Sequence, residues 1–252
     1  MSTIHHLPAN IKTVKWGFYD NTWEPVLHVK SGDFVDVEAL NHQSGDAPDL
    51  MFDDAIAEIY EYNSGRNMGD HLVTGPIYVE NSQPGDVIEM RIVDMKPRVK
   101  YGSNVLANWG RLAKDFNNVE TIFIYEVDHE RQVTFPVSTY PRPINAPGLV
   151  LEPGIVKRTK VNDPIEIPVN YHFGVAGVLP KATGKVHSLH PKAFGGNVDN
   201  KNHVVGTSMF YRVEVEGAGV YVGDTHAAQG DGEYSGTAVE CSINGRIQII
   251  LH

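Results

Sequence analysis

Twenty-four glycines and 15 prolines in 252 residues cut this chain into short runs. Glycine pays the largest backbone entropy inside a helix, and proline removes a helical hydrogen bond, so long helices have little room here. Between the breaks the dominant pattern is alternation. Residues 34–40 (FVDVEAL) alternate apolar with acidic side chains after Ser31-Gly32-Asp33, and residues 87–95 (VIEMRIVDM) do much the same after Pro84-Gly85-Asp86. A turn signal followed by a period of two is a half-buried antiparallel strand. Residues 121–127, 165–179, 208–217, 221–223 and 244–252 add further strands. One helix is expected over 47–63, where Leu50, Phe52, Ile56 and Ile59 recur at helical spacing. The polar, Gly-rich segment 183–200 reads as a long loop leading into a site.

At this length the chain forms one large β-rich domain or two smaller ones, and 41% hydrophobic residues suffice for a sizeable core. The Pro-rich stretch 138–154 marks a seam between an N-terminal β-sandwich half, 1–140, and a C-terminal half, 141–252, with strands exchanged across it. A net charge of -10 excludes a nucleic-acid partner, whose phosphates would be repelled. The single cysteine, Cys241, rules out an internal disulfide framework and a Cys-rich zinc site, and reads as a small buried thiol. The N-terminal residues lack the basic and apolar regions of a signal peptide, and no run is apolar enough to span a membrane. A cytoplasmic protein with no membrane partner is expected. Strand edges and the Pro-rich segment make a homo-oligomer the expected assembly.

The segment GDTHAAQGDGEYSGTAVE, residues 223–240, concentrates Asp224, His226, Asp231, Glu233 and Glu240 among small residues. So many ionisable groups with so little apolar cover argue against a plain core strand. The mixture of imidazole and carboxylate suits a metal ion, and equally proton transfer. Asp70-His71 before Thr74-Gly75-Pro76, and Gly195-Gly196-Asn197-Val198-Asp199, have the same flavour. Asn197 and Asp199, Asp224 and His226, and Asp231 and Glu233 are each two apart, which puts both members on one face of an extended chain. Taken singly, Asx and Gly residues are ordinary turn material, and Asp33 and Asp86 are read as turn residues. His5, His6 and His28 carry no such context.

Three segments, HLVTGPIYVENSQPGD, FGGNVDN and GDTHAAQGDGE, strongly resemble hallmark segments of the acetamidase/formamidase family. The resemblance runs from about Ser31 to the C-terminus. It implies a mainly β fold, a β-sandwich with a smaller α+β part. It also implies hydrolysis of a short aliphatic amide, formamide or acetamide, to a carboxylate and ammonia. A divalent metal bound by His and Asp is implied as well, Zn2+ first and Ca2+ second. On residue types and this resemblance, the metal ligands are His71, Asp199 and His226, with Asp70 and Asn197 as alternates. The metal would activate a water and polarise the carbonyl. Glu233 is the first choice for general base and proton donor, and Asp231 the second. Asn197 and Gln229 would hydrogen-bond the substrate amide, and the Gly195 and Gly196 amides would serve as oxyanion donors. The residues alone also fit a purely structural cation site, an enzyme of another C–N bond, or a small-molecule binding protein.

Overall fold

A computed structural model describes residues 2–64, 66, 68–142 and 157–252. Strands form in the expected regions, and among the described residues they assemble into two large sheets and one two-stranded sheet, Phe18–Tyr19 with Val186–His187. The first has five strands in the order Ile4–Leu7, Phe34–Val37, Ile243–Leu251, Val87–Pro97 and Ser208–Arg212. The second has 12 strands, and the 11-residue Ala218–Ala228 strand lies at its centre. The inner faces pack together. Val35, Ile88, Met90, Ile247 and Ile249 from the first sheet share one buried cluster with Val73, Val79, Val175, Val220 and Val222 from the second. The fold is a β-sandwich with few helices.

Both sheets draw on both ends of the chain. Ile243–Leu251 inserts between Phe34–Val37 and Val87–Pro97, and Val239–Glu240 pairs with Tyr101–Leu106. Two halves that interleave this way cannot bury their apolar faces separately. The proposed division at 140/141 falls at the end of the Val133–Pro141 strand, and most of the Pro-rich seam lies outside the described residues.

Three local expectations are corrected. The helix over 47–63 is two helices, Pro48–Met51 and Asp54–Asn63. The break comes where the Asp53 carboxylate accepts a hydrogen bond from the Ile56 amide at 3.0 Å, capping the second helix. The loop over 183–200 contains two short strands, Val186–His187 and Gly195–Asn197. The third correction matters most. Asp224 to Ala228 is the end of a strand that is buried at every position. Apolar cover is replaced there by mutual pairing of the buried charges.

Candidate active site

The site begins where the central strand changes partners. Over its first half, Ala218–Ala228 pairs with Leu72–Val79, ending at Gly223 opposite Val73. Over its last residues it pairs instead with Val239–Glu240, His226 facing Glu240. On this edge the two neighbouring strands part beside Asp224 and Thr225, and a cleft opens. Gly223 permits the last close approach, since a Cβ there would lie 2.0 Å from the Leu72 carbonyl oxygen. Asp224 adopts φ +46°, a left-handed conformation that costs on the order of 1–3 kcal/mol and clusters at functional sites. Asn41 fills the gap. Its amide donates to Asp224 Oδ1 at 3.2 Å, to the Thr225 carbonyl at 3.1 Å and to Glu240 Oε2 at 2.5 Å.

Three imidazoles surround the Asp224 carboxylate. His42 Nδ1 lies 3.5 Å from Oδ1, and His71 Nε2 and His226 Nε2 lie 3.7 and 3.4 Å from Oδ2. His226 Nε2 is also 3.4 Å from Glu240 Oε2 and 3.9 Å from Glu233 Oε1. Burial works against the charge of Asp224, but the imidazoles hold it well below the usual carboxylate range. Burial likewise opposes charge on His226, and Glu240 with Asp224 outweighs it, so His226 is held well above the ordinary histidine value. Glu233 behaves oppositely. Desolvation and the charges of Glu240, Asp199 and Asp224 push it from 4.5 up to about 9. Asp199 rises to about 7, mainly by desolvation. Carboxyls with values this far apart in one cluster are the material of acid–base chemistry.

The cluster also fits a divalent cation. Asp224, His226 and Glu240 offer ligand atoms within 4.8 Å of one another, as do Asp199, His226 and Glu233. Bonds of about 2.0–2.2 Å around a tetrahedral zinc put neighbouring ligand atoms roughly 3.3–3.6 Å apart. The 3.4 Å separations of His226 Nε2 from Asp224 and Glu240 fall in that range. His226 Nε2, Asp199 Oδ1, Glu233 Oε1 and His42 Nδ1 are buried with no hydrogen-bond partner, which a bound ion or water would remedy.

Behind the cluster, Gln229 ties it together. Its Oε1 lies 2.9 Å from His226 Nδ1 and 3.1 Å from His172 Nε2, and its Nε2 donates to the Asp199 carbonyl at 2.6 Å. Desolvation and the neighbouring His226 push His172 down to about 4. Gly174 leaves room for this contact, because a Cβ there would meet His226 Cε1 at 2.5 Å. In front, a cavity of about 390 Å³ exposes Asp224, Glu233, Glu240 and His71, with Trp109 and Arg142 on its wall.

The sequence profile described as the Acetamidase/Formamidase family matches residues 15–185 and 182–252. The chain belongs to the acetamidase/formamidase family. It is 30% identical to an acetamidase of Mycolicibacterium smegmatis over 198 residues, covering 65% of this chain and 48% of that protein. It is 25% identical to a formamidase of Methylophilus methylotrophus over 252 residues, covering 86% of this chain and 60% of the other. The crystal structure of an acetamidase from Bacillus halodurans superposes with a TM-score of 0.70 at 26% identity, over 98% of this chain and 70% of that one. The chain therefore spans about half to three fifths of the length of the curated relatives it matches.

Within this acetamidase/formamidase fold, the expected site residues separate. His71, His226, Asp199 and Glu233 meet around the Asp224 cluster. Asn197 faces the cavity, with its Nδ2 donating to the Leu189 carbonyl at 3.1 Å and its Oδ1 unpartnered. Asp70 also lines the cavity. Asp231 points outward, its side chain 91% exposed and 2.9 Å from Lys201 Nζ. Gln229 faces His226 with both ends of its amide engaged. Gly195 and Gly196 lie buried in their strand, and the Gly195 amide donates to the Lys192 carbonyl at 3.0 Å. Cys241 is fully buried, its thiol pushed up to about 12 by burial and by Glu240. Sequence reasoning passed over Asn41, His42 and His172 and gave Asp224 and Glu240 no role. Asn41 caps a short 3-10 helix, His42–Asp46, whose sequence has no cluster of ionisable groups among glycines, so no local signal marked Asn41 or His42.

The raised values have a consequence for stability in cation-free protein. A carboxyl whose folded value lies above its unfolded one binds a proton more tightly when folded, so its stabilisation is lost as pH rises. For Glu233 the window runs from about 4.5 to about 9. His226, also raised, contributes fully below its unfolded value and loses that contribution above it. Chelated protein should therefore melt at lower temperature at the alkaline end of this window, each proton costing up to about 1.4 kcal/mol per pH unit. A melting temperature that is flat or rises across the window in scanning calorimetry contradicts this account.

Proposed function

We propose that this protein hydrolyses the C–N bond of a short aliphatic amide, formamide or acetamide, to the carboxylate and ammonia. The observation that carries the reading is a cavity into which Glu233 faces beside His226, Asp224 and Glu240, within a chain of this family. Two of the relatives are named acetamidase and formamidase. We further propose that His226, Asp224 and Glu240 hold a divalent cation, flanked by Asp199 and His71. An imidazole among the donors favours zinc over calcium, which prefers six to eight oxygens. When bound, such a cation lowers the pKa of water and polarises a carbonyl.

The chain's own residues do the rest. Asn197 Oδ1 accepts from the amide nitrogen, and Arg142 and Trp109 close the far wall. With a cation bound beside it Glu233 would be ionised, so that Oε1, 3.9 Å from His226 Nε2, could take the proton from the attacking water and pass it to the departing nitrogen. The exposed side chains Trp109, Leu112, Phe116, Val119 and Tyr234 offer the apolar area on which a homo-oligomer would pair. Among the described residues no helix is long and apolar enough to cross a membrane.

The test is ammonia release from formamide, acetamide and propionamide before and after chelation, with elemental analysis of the purified protein. Near-stoichiometric zinc and ammonia release that chelation removes are expected, with lower metal affinity at acidic pH, because a proton and the cation compete for His226 Nε2. Metal without activity on any short amide would leave a structural cation site or another C–N substrate. Activity that survives complete metal removal would eliminate the cation from the scheme.

A further inference from the structure

We infer that His172, together with Gln229, is a positioning residue, which fixes the tautomer of His226 so that Nε2 is the nitrogen presented to a cation. Three polar atoms form a small triangle beside the cluster. His172 Nε2, His226 Nδ1 and Gln229 Oε1 lie 3.1, 2.9 and 3.1 Å apart in pairs. Three lone pairs at these distances would repel, so a proton must lie among them. Gln229 cannot supply it. Its Nε2 donates to the Asp199 carbonyl at 2.6 Å, which turns Oε1, an acceptor only, toward the rings.

His172 does not supply it either. Its Nδ1 lies 2.6 Å from the Asn170 carbonyl, and a carbonyl only accepts, so the ring proton is at Nδ1. A second proton would make a buried imidazolium. The polar partners of this ring among the described residues are two carbonyl oxygens and the His226 ring, with no carboxylate hydrogen-bonded to balance the charge. The proton in the triangle is therefore on His226 Nδ1. The free lone pair of a neutral His226 is then at Nε2, the atom 3.4 Å from both Asp224 and Glu240.

His172 acts on the cluster through His226. It is fully buried, sits on the neighbouring His172–Gly177 strand in register with His226, and meets that ring edge-on at a centroid distance of 4.9 Å. Partners of this kind on the far nitrogen of a ligating histidine set its orientation and basicity. The tautomer stands on hydrogen-bond geometry alone. Only its consequence for a cation rests on the function proposed above.

The experiment uses the full chain labelled with 15N-histidine. Two-bond 1H–15N spectra of metal-free protein, with His226 assigned by its loss in His226→Gln, should show Nδ1 protonated and Nε2 bare once rising pH has made the ring neutral. An unprotonated Nδ1 overturns the inference. In a second arm, Zn2+ affinity is measured by chelator competition. His172→Phe keeps the bulk but removes one of the two acceptors of His226 Nδ1, the other being Gln229 Oε1 at 2.9 Å, and should weaken Zn2+ roughly tenfold. His172→Gln returns an acceptor oxygen and should recover most of that loss. Wild-type Zn2+ affinity in folded His172→Phe also overturns it. Should His172→Phe fail to fold, the spectrum of His226 in the wild type decides. If wild-type protein binds no Zn2+ and releases no ammonia, the proposed function fails, while the spectrum still tests the tautomer.

Discussion

Replacing Asp224 with Ala is expected to cost about 3–5 kcal/mol of unfolding free energy, because it removes the counter-charge of a buried imidazolium. His226 is fully buried and is held charged by Glu240 and Asp224. His42 and His71 also face Asp224, and Asn41 loses one of its acceptors with it. The loss should be largest where Asp224 is ionised and His226 protonated. It should shrink as acid neutralises the carboxylate, since a depressed carboxyl contributes above its unfolded value and ceases to as pH falls through its folded one. Urea denaturation at several pH values measures this. A cost below about 1 kcal/mol would be that of an ordinary surface pair, and would mean that Glu240 alone balances His226.

On the amide hydrolysis proposed above, Glu233→Gln is expected to lower turnover by roughly 10²–10⁴-fold, the range for loss of a positioned acid–base group. Metal content should be unchanged, because the three proposed ligands, Asp224, His226 and Glu240, are untouched. KM should move little if Asn197 carries the amide contact. The same variant removes the carboxyl that burial and like charges raise to about 9, so the chelated variant should lose less stability toward alkaline pH than wild type. Full activity in Glu233→Gln would remove this residue from the mechanism, whatever its pKa. Lost activity accompanied by lost metal would instead make Glu233 a ligand through the Asp199–His226–Glu233 grouping.

Much of the fold was legible from local pattern. The alternating run in residues 87–95 predicts Val87–Pro97, and the run in 244–252 predicts Ile243–Leu251. Alternation is visible because each strand has one face in the core. The helix over 47–63 was legible in kind but not in its break, since Asp53 looks like any acidic residue until its carboxylate caps the Ile56 amide. Asp224 to Ala228 misled for a different reason. A propensity argument prices each buried charge alone, whereas here His226 and Asp224 offset each other at 3.4 Å.

The site divides the same way. His71, Asp199, His226 and Glu233 could be named as chemistry-bearing residues, because each sits among glycines and other polar groups in a short segment. Nothing local separates Glu233 from Asp231. Two positions apart, one faces the Asp224 cluster while the other reaches Lys201 in solvent, because the chain leaves its strand after Ala228 and the strict alternation ends with it. Asn41 arrives from 183 residues away in sequence to meet Asp224, and His42 comes with it. The sequence by itself determined that the chain is a strand-built member of this family and which short segments hold its ionisable groups, since periodicity and residue type are properties of neighbours. Only the tertiary structure decided which carboxyl is buried beside which imidazole, because burial and charge pairing are set where the central strand parts from Leu72–Val79 and takes up Val239–Glu240.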